Sequence, residues 1–224
     1  ITRVQRTTLL ALNGSLLSAR ASMLEAVEVG SGRIEPVVVL GCEALHQLML
    51  FDLYGRPDPR AEEIHRITMD MLGDVPSPVF QVQKGYGAQL FGDPAGVQEV
   101  LHRFGSRPEQ LLRSWTGDHL LREFGDIVAR AGAAGYATPA YRALLPYAGL
   151  LNVGGGHSAG LPVDDVLARL ALLAGDPAAA VRHAGDAVAL ARSMPSPPLL
   201  VHCLDHLADA VDAAGEGPAQ WAPD

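Results

Sequence analysis

Lysine is almost missing from this chain: Lys84 stands alone among seventeen basic residues, against twenty-five acidic ones, for a net charge of −8. No basic patch is available to neutralise a phosphate backbone, so nucleic acid is excluded as a partner of this segment. Cysteine is as scarce. Cys42 and Cys203 lie far apart inside apolar helical patterns, which suits reduced thiols of a cytoplasmic protein better than a disulfide framework. Aromatics make up only 5% of the residues. No apolar run reaches the roughly 20 residues that span a bilayer, and Ile1-Thr2-Arg3-Val4 shows neither an initiator Met nor a signal peptide, so we expect a soluble piece of a longer protein with no membrane partner. Strand signals are few: Val37 to Leu40 and Leu150 to Val153 are four-residue runs without alternation, and we read both as buried helical turns.

What the sequence does have is apolar residues (48%) and a repeat. Glycine-centred breaks follow helical patterns at Gly14, Gly55, Gly92, Gly135, Gly175 and Gly215, a period of about 40 residues. Two breaks are nearly the same, Gly92-Asp93-Pro94-Ala95 and Gly175-Asp176-Pro177-Ala178. Glycine ends one helix in a left-handed cap, Asp caps the next and Pro fits its first turn. Val163, Val166, Leu167, Leu170 and Leu173 follow the spacing of an amphipathic helix, and Val181, Ala184, Val188, Ala191 and Met194 make a narrower seam for its partner. Helices are also expected over 37–54, 60–72, 79–91, 97–104, 109–131 and 139–150, and from Leu200 to near Gly215 with Leu200, Leu204, Leu207 and Val211 on its apolar side. Hairpins of this kind bury their apolar faces only by stacking. The expected fold is all-α, an α-solenoid of antiparallel helical hairpins in one domain over 1–224, less regular over 1–104, better matched over 105–215, with a tail at 216–224.

Aligned on Gly175, the chain places Leu167 and Ala168, then Ala180, Ala187 and Val188, where tetratricopeptide repeats carry their packing residues; Gly215 does the same for Leu207, Ala208 and Val211. The period resembles the longer variant in bacterial regulators of the maltose-activator and LuxR type. The stretch Tyr141-Arg142-Ala143-Leu144-Leu145-Pro146-Tyr147-Ala148, Val153-Gly154-Gly155-Gly156 and Leu167 to Ala191 is similar to the C-terminal helical region of bacterial multidomain signalling ATPases. The resemblance implies a sensor or scaffold arm. It lacks a phosphate-binding G-x-x-x-x-G-K-[ST] loop and a DNA-reading helix pair, so any ATPase, cyclase or DNA-binding activity belongs outside this segment.

Three constellations bear on chemistry. Gly156-His157-Ser158-Ala159-Gly160 fits G-x-S-x-G, with Asp186 and His202 following in hydrolase order, but no parallel sheet is in view to hold a nucleophile elbow, and the bland reading is a linking loop with Ser158 solvated. His202 and His206, with Asp205 and Asp209, share one helix face directed away from the apolar side; together with His157 they are the candidate groove residues. Glu62-Glu63 and Asp164-Asp165 are adjacent, point about 100° apart and read as helix N-terminal charge rather than catalytic dyads. Gly30-Ser31-Gly32 and Gly85-Tyr86-Gly87 lack a dinucleotide fingerprint's context, and Trp115, Tyr136, Tyr141 and Tyr147 read first as core. The expected function is therefore a non-catalytic interaction and regulatory domain without metal or cofactor, binding a protein, a peptide or another domain of its parent. The rival readings are a small-molecule sensor with its ligand in the groove or between units near Gly154 to Gly160 and, more remotely, a Ser158 hydrolase.

Overall fold

A computed structural model describes residues 2–55, 59–73, 75–114, 116–154 and 158–215. In chain order the helices are α1 (Thr2–Leu12), α2 (Leu16–Gly30), α3 (Pro36–Tyr54), α4 (Ala61–Leu72), α5 (Pro78–Phe91), α6 (Pro94–Phe104), α7 (Gly117–Arg130), α8 (Ala134–Leu144), α9 (Val163–Leu173), α10 (Pro177–Arg192) and α11 (Pro197–Ala214). Sequence neighbours pack on one another, α1 on α2, α3 on α4, α5 on α6, α7 on α8 and α9 on α10, and α11 packs on α10. The caps act as the sequence predicts: Asp93 Oδ1 accepts from the amides of Ala95 and Gly96, and Asp176 Oδ1 from Ala179, each cap contributing about 1 kcal/mol. One turn glycine differs. Gly132, at φ 61°, turns the α7–α8 hairpin, while Gly135 lies inside α8, so that helix starts five residues before the expected Pro139. The expected helix over 109–131 is likewise two elements, a 3-10 turn (Pro108–Arg113) and α7, because a Cβ at Gly117 would meet the Leu112 Cα at 2.5 Å and only glycine permits that approach.

The all-α expectation holds with one exception. Leu150 to Val153 is not a helical turn: Leu151–Gly154 (β1) pairs antiparallel with Ser158–Pro162 (β2), with an irregularity between Leu151 and Val153. Every residue of β2 is buried, so neither face shows a polar alternation that the sequence could advertise. The second strand sits inside the molecule, β2 lying against α3, α1, α9, α10 and α11, while Val153 of β1 reaches the surface. One core cluster gathers Ala11 and Leu12 of α1, Leu50 of α3, Leu161 of β2 and Leu199 and Cys203 of α11. A second runs through α5 to α9 and a third, mostly alanine, through α9 to α11. Elements from the two ends of the chain thus meet, where a neighbour-only stack would keep them apart. Two side-chain-to-backbone bonds fasten the junction: Tyr54 donates to the Ala11 carbonyl, and His202 Nε2 lies 3.0 Å from the Leu53 carbonyl as its donor.

At 19 residues with mean hydropathy 1.4, α3 has the length and composition of a membrane-crossing helix, contrary to the expectation that no run comes close. Half of it is buried within the fold, including Glu43, His46, Gln47 and Asp52, which makes it a central core helix. Both cysteines are free, Cys203 buried and Cys42 partly so, and burial pushes the Cys203 thiol up to about 12, an unreactive state.

Candidate functional site

Between α3, α4, α5, the start of α7 and the β-hairpin lies a cavity of about 360 Å³. Its first wall is one stripe of α3, where Gly41, Ala44, Leu45 and Leu48 recur at helical spacing; Met69 and Leu72 of α4 and Val79 and Phe80 of α5 complete the apolar lining. Small residues on the α3 stripe keep the space open, since a Cβ at Gly41 would meet nothing within 4 Å. Polar side chains enter at two places: His65 and Gln83 from α4 and α5, and Thr116, His119 and Ser158 where α7 meets the hairpin. The described lining contains no Asp, Glu, Lys or Arg.

The second polar place is ordered by His119. Its Nδ1 lies 2.5 Å from Asn152 Oδ1 and its Nε2 3.1 Å from Glu123 Oε1, all three residues buried. Burial lowers the basicity of this imidazole, but the Glu123 charge and hydrogen bond outweigh it and leave its pKa raised. Ser158 and His119 crowd the same spot, for a Cβ on Gly154 would fall 2.6 Å from Ser158 Oγ and 2.8 Å from His119 Nε2. Ser158 Oγ, Thr116 Oγ1 and His65 Nδ1 are buried without a hydrogen-bond partner. Desolvation holds His65 at a pKa of about 4, neutral at pH 7. Behind Ser158 a small void of about 20 Å³ opens among Asp52, Tyr86, Arg122 and Glu123.

From that void a chain of charges crosses the molecule. Arg122 and Arg130 of α7 donate to the two oxygens of Asp52 on α3, at 3.0 and 2.6 Å. Arg130 also donates to Asp126 at 2.8 Å; Arg169 of α9 lies 2.5 Å from Asp126 and 3.2 Å from Asp165; His206 Nδ1 of α11 closes the series on Asp165 at 2.8 Å. Burial pushes the Asp126 carboxyl up, yet Arg169, Arg130 and Arg122 together hold it well below the usual carboxylate range. For Asp165 the same contest also ends in a lowered pKa, won by Arg169 and His206. Such a chain ties α3, α7, α9 and α11 together, and a Cβ on Gly160 of β2 would lie 2.7 Å from the Arg122 guanidinium carbon. That close approach accounts for the second glycine of the G-x-S-x-G stretch.

The fold keeps His202 and His206 side by side, with ring centroids 6.3 Å apart, but parts them from the aspartates expected to share their face. On α11 the expected Val211 is buried and Leu200 and Leu207 pack on the core, but Leu204 is 40% exposed and Leu199, Cys203 and Ala210 complete the buried side. His202 and His206 turn inward, to Leu53 and Asp165, and Asp205 and Asp209 stand exposed without them. His157 and Trp115 fall outside the described residues. Ser158 is not solvated on a loop but buried as the first residue of β2. Asp186 and His202 do not reach it, and neither lines the cavity. The imidazole that does approach Ser158, His119, has both nitrogens engaged by Asn152 and Glu123, which leaves no free lone pair to take a serine proton.

Asp164 and Asp165 are buried rather than solvated at the start of α9, Asp164 accepting from the Gly149 amide and His183, Asp165 engaged as above. Glu62 and Glu63 are exposed in the first turn of α4. Among the described residues, Asp164, His183 and Asp186 bring possible ligand atoms within 4.8 Å of one another, but His183 already uses Nδ1 on Asp164 and Nε2 on the Tyr141 hydroxyl. Tyr136, Tyr141 and Tyr147 pack half-buried on the core. Gly85 and Gly87 lie inside α5, where a side chain would collide with Val100 and His65, and carry no phosphate loop. The residues that sequence reasoning missed are Thr116, His119 and His65; the available signal was the His119-Glu123 pair at i, i+4 inside an apolar helix.

Comparison with protein-family models, with curated proteins and with solved structures found no match.

Proposed function

We propose that this chain is a non-catalytic regulatory domain that senses a small molecule in the cavity between α3, α4, α5 and the β-hairpin. The observation that carries the reading is that cavity: about 360 Å³ of apolar space, within the range of roughly 300–1,000 Å³ for small-molecule sites, with a few converging polar groups on its walls. The ligand shifts the balance between conformations only by its affinity difference for them. The charge chain beginning behind Ser158 supplies rigid elements through which such a difference reaches α9 and α11. In this reading the chain is the helical region of a cytoplasmic signalling or transcriptional regulator, with the domain that acts on the signal elsewhere in the parent.

A thermal-shift screen of apolar metabolites tests it. A ligand at one hundred times its Kd stabilises the fold by about 2.7 kcal/mol, a rise in Tm of roughly 5–10 °C for a domain of this size. Gly41→Leu, which projects into the cavity, abolishes the shift; a screen without hits, or hits indifferent to that substitution, defeats the reading. A second reading, docking of a partner protein or of another parent domain, is favoured by Leu9, Leu17 and Leu24, which stand 61%, 81% and 58% exposed on the first hairpin. It predicts that Leu17→Ser with Leu24→Ser breaks that association and leaves small-molecule binding intact.

A further inference from the structure

Resting on the ligand-sensing reading, we infer that the ligand is an uncharged amphiphile. Its aliphatic body lies against α3 and α4, and its single hydroxyl or carbonyl head sits where Thr116, His119 and Ser158 converge.

The apolar wall fixes the body. Gly41, Ala44, Leu45 and Leu48 offer no side-chain hydrogen bond, so burying methylenes there is the favourable term. The opposite end fixes the head. Ser158 Oγ and Thr116 Oγ1 are buried and unpartnered, and a hydroxyl both donates and accepts, so either an alcohol or a ketone is served by turning the O–H about its C–O bond.

Charge is what the site refuses. No ionisable Asp, Glu, Lys or Arg lines the described cavity, and His119 already has its countercharge in Glu123 at 3.1 Å. The small void behind Ser158 is lined by Asp52 and Glu123 as well as Arg122, so a head of either sign at Ser158 would meet a like charge across it. Within the described lining of the cavity itself neither ion has a partner of opposite sign, and a charge buried without one is strongly disfavoured.

The test is titration calorimetry on the full chain at pH 7.5 with four probes of one length: 1-octanol, 2-octanone, octanoate and octylammonium. The two neutral probes are expected to bind at least about tenfold more tightly than either ion. Ser158→Ala is expected to weaken the neutral probes by about three- to tenfold, the worth of one hydrogen bond, and to leave the ions unchanged. Gly41→Leu is expected to remove all binding, with circular dichroism confirming that both variants fold. Equal binding of all four probes, still lost in Gly41→Leu, overturns the head-group assignment and leaves the sensing reading standing; so does a preference for octanoate or octylammonium. Failure of every probe to bind, or binding that ignores Gly41→Leu, overturns the cavity reading and this inference with it.

Discussion

The interior of this protein is built in two ways. Around α7, α9 and α11 it is filled: carboxylates and guanidinium groups alternate across the helices in mutual contact, and alanines at Ala168, Ala171, Ala180 and Ala184 let the helices close up. Around α3, α4 and α5 it is left open, with neutral histidines, orphaned hydroxyls and a cavity. Charge demands partners and forbids slack, whereas an apolar wall with a few polar groups tolerates space that a ligand can fill. The charge-linked side is the frame, and the open side holds the cavity that we propose as the site.

The comparison breaks most visibly at Asp126. Asp126→Ala leaves Arg130 with Asp52 alone and Arg169 with Asp165 alone, and is expected to cost about 3–5 kcal/mol, measured by urea unfolding; a loss below 1 kcal/mol would mean that the charge chain holds nothing together.

Acid strikes the other side. His46 and His65 are held at about 4 by burial, against an ordinary 6.5, with Arg20 adding to the effect at His46 and partly offset at His65 by a hydrogen bond to Lys84 and the charge of Glu123. The folded chain therefore binds these protons less readily than the unfolded one, and their stabilising contribution, full above pH 6.5, is lost as pH falls toward 4. At pH 5 the loss is about 2 kcal/mol for each histidine. His119, with its raised pKa, runs the opposite way and loses its contribution as pH rises past 6.5. Asp126 and Asp165, whose pKa values are lowered, stay ionised throughout this window. Hydrogen exchange at pH 5 should thus show α3 and α4 opening before α7 and α9; simultaneous opening contradicts the division.

A pair of substitutions sharpens it further. Ala184→Leu overpacks the α9–α11 cluster and is expected to cost about 1–3 kcal/mol. Gly41→Ala, in helical backbone with open space before it, is expected to stabilise by about 0.5–1 kcal/mol. Equal signs in the two denaturation curves would erase the distinction.

Much of the frame was legible in the sequence. Helices at 37–54, 60–72 and 79–91 lie within two residues of the observed ends, and the Gly-Asp-Pro caps were readable because a cap is a local chemical event. Gly132 was passed over for Gly135 because both are single glycines in an alanine-rich stretch, and only the backbone tells which takes the positive φ. The β-hairpin escaped because strand alternation requires one wet face, and β2 has none. The charge chain escaped for the converse reason: Arg122, Asp126 and Arg130 at i, i+4, i+8 spell a solvated helix face, and their burial depends on α3 and α9 arriving from distant sequence. The cavity is a property of what fails to meet between elements, which no pattern within one element encodes.

The bond between His202 and the Leu53 carbonyl joins residues 149 positions apart. During synthesis at about 5–20 residues per second, the end of α3 must wait roughly 10–30 seconds for α11 to emerge. Through that interval the apolar α3 has its early hairpin neighbours but not its final lid, so the nascent chain is exposed at its most hydrophobic helix. The fold is finished by one of the last elements described, and chaperone dependence should follow the timing of α11 more closely than the stability of any single hairpin.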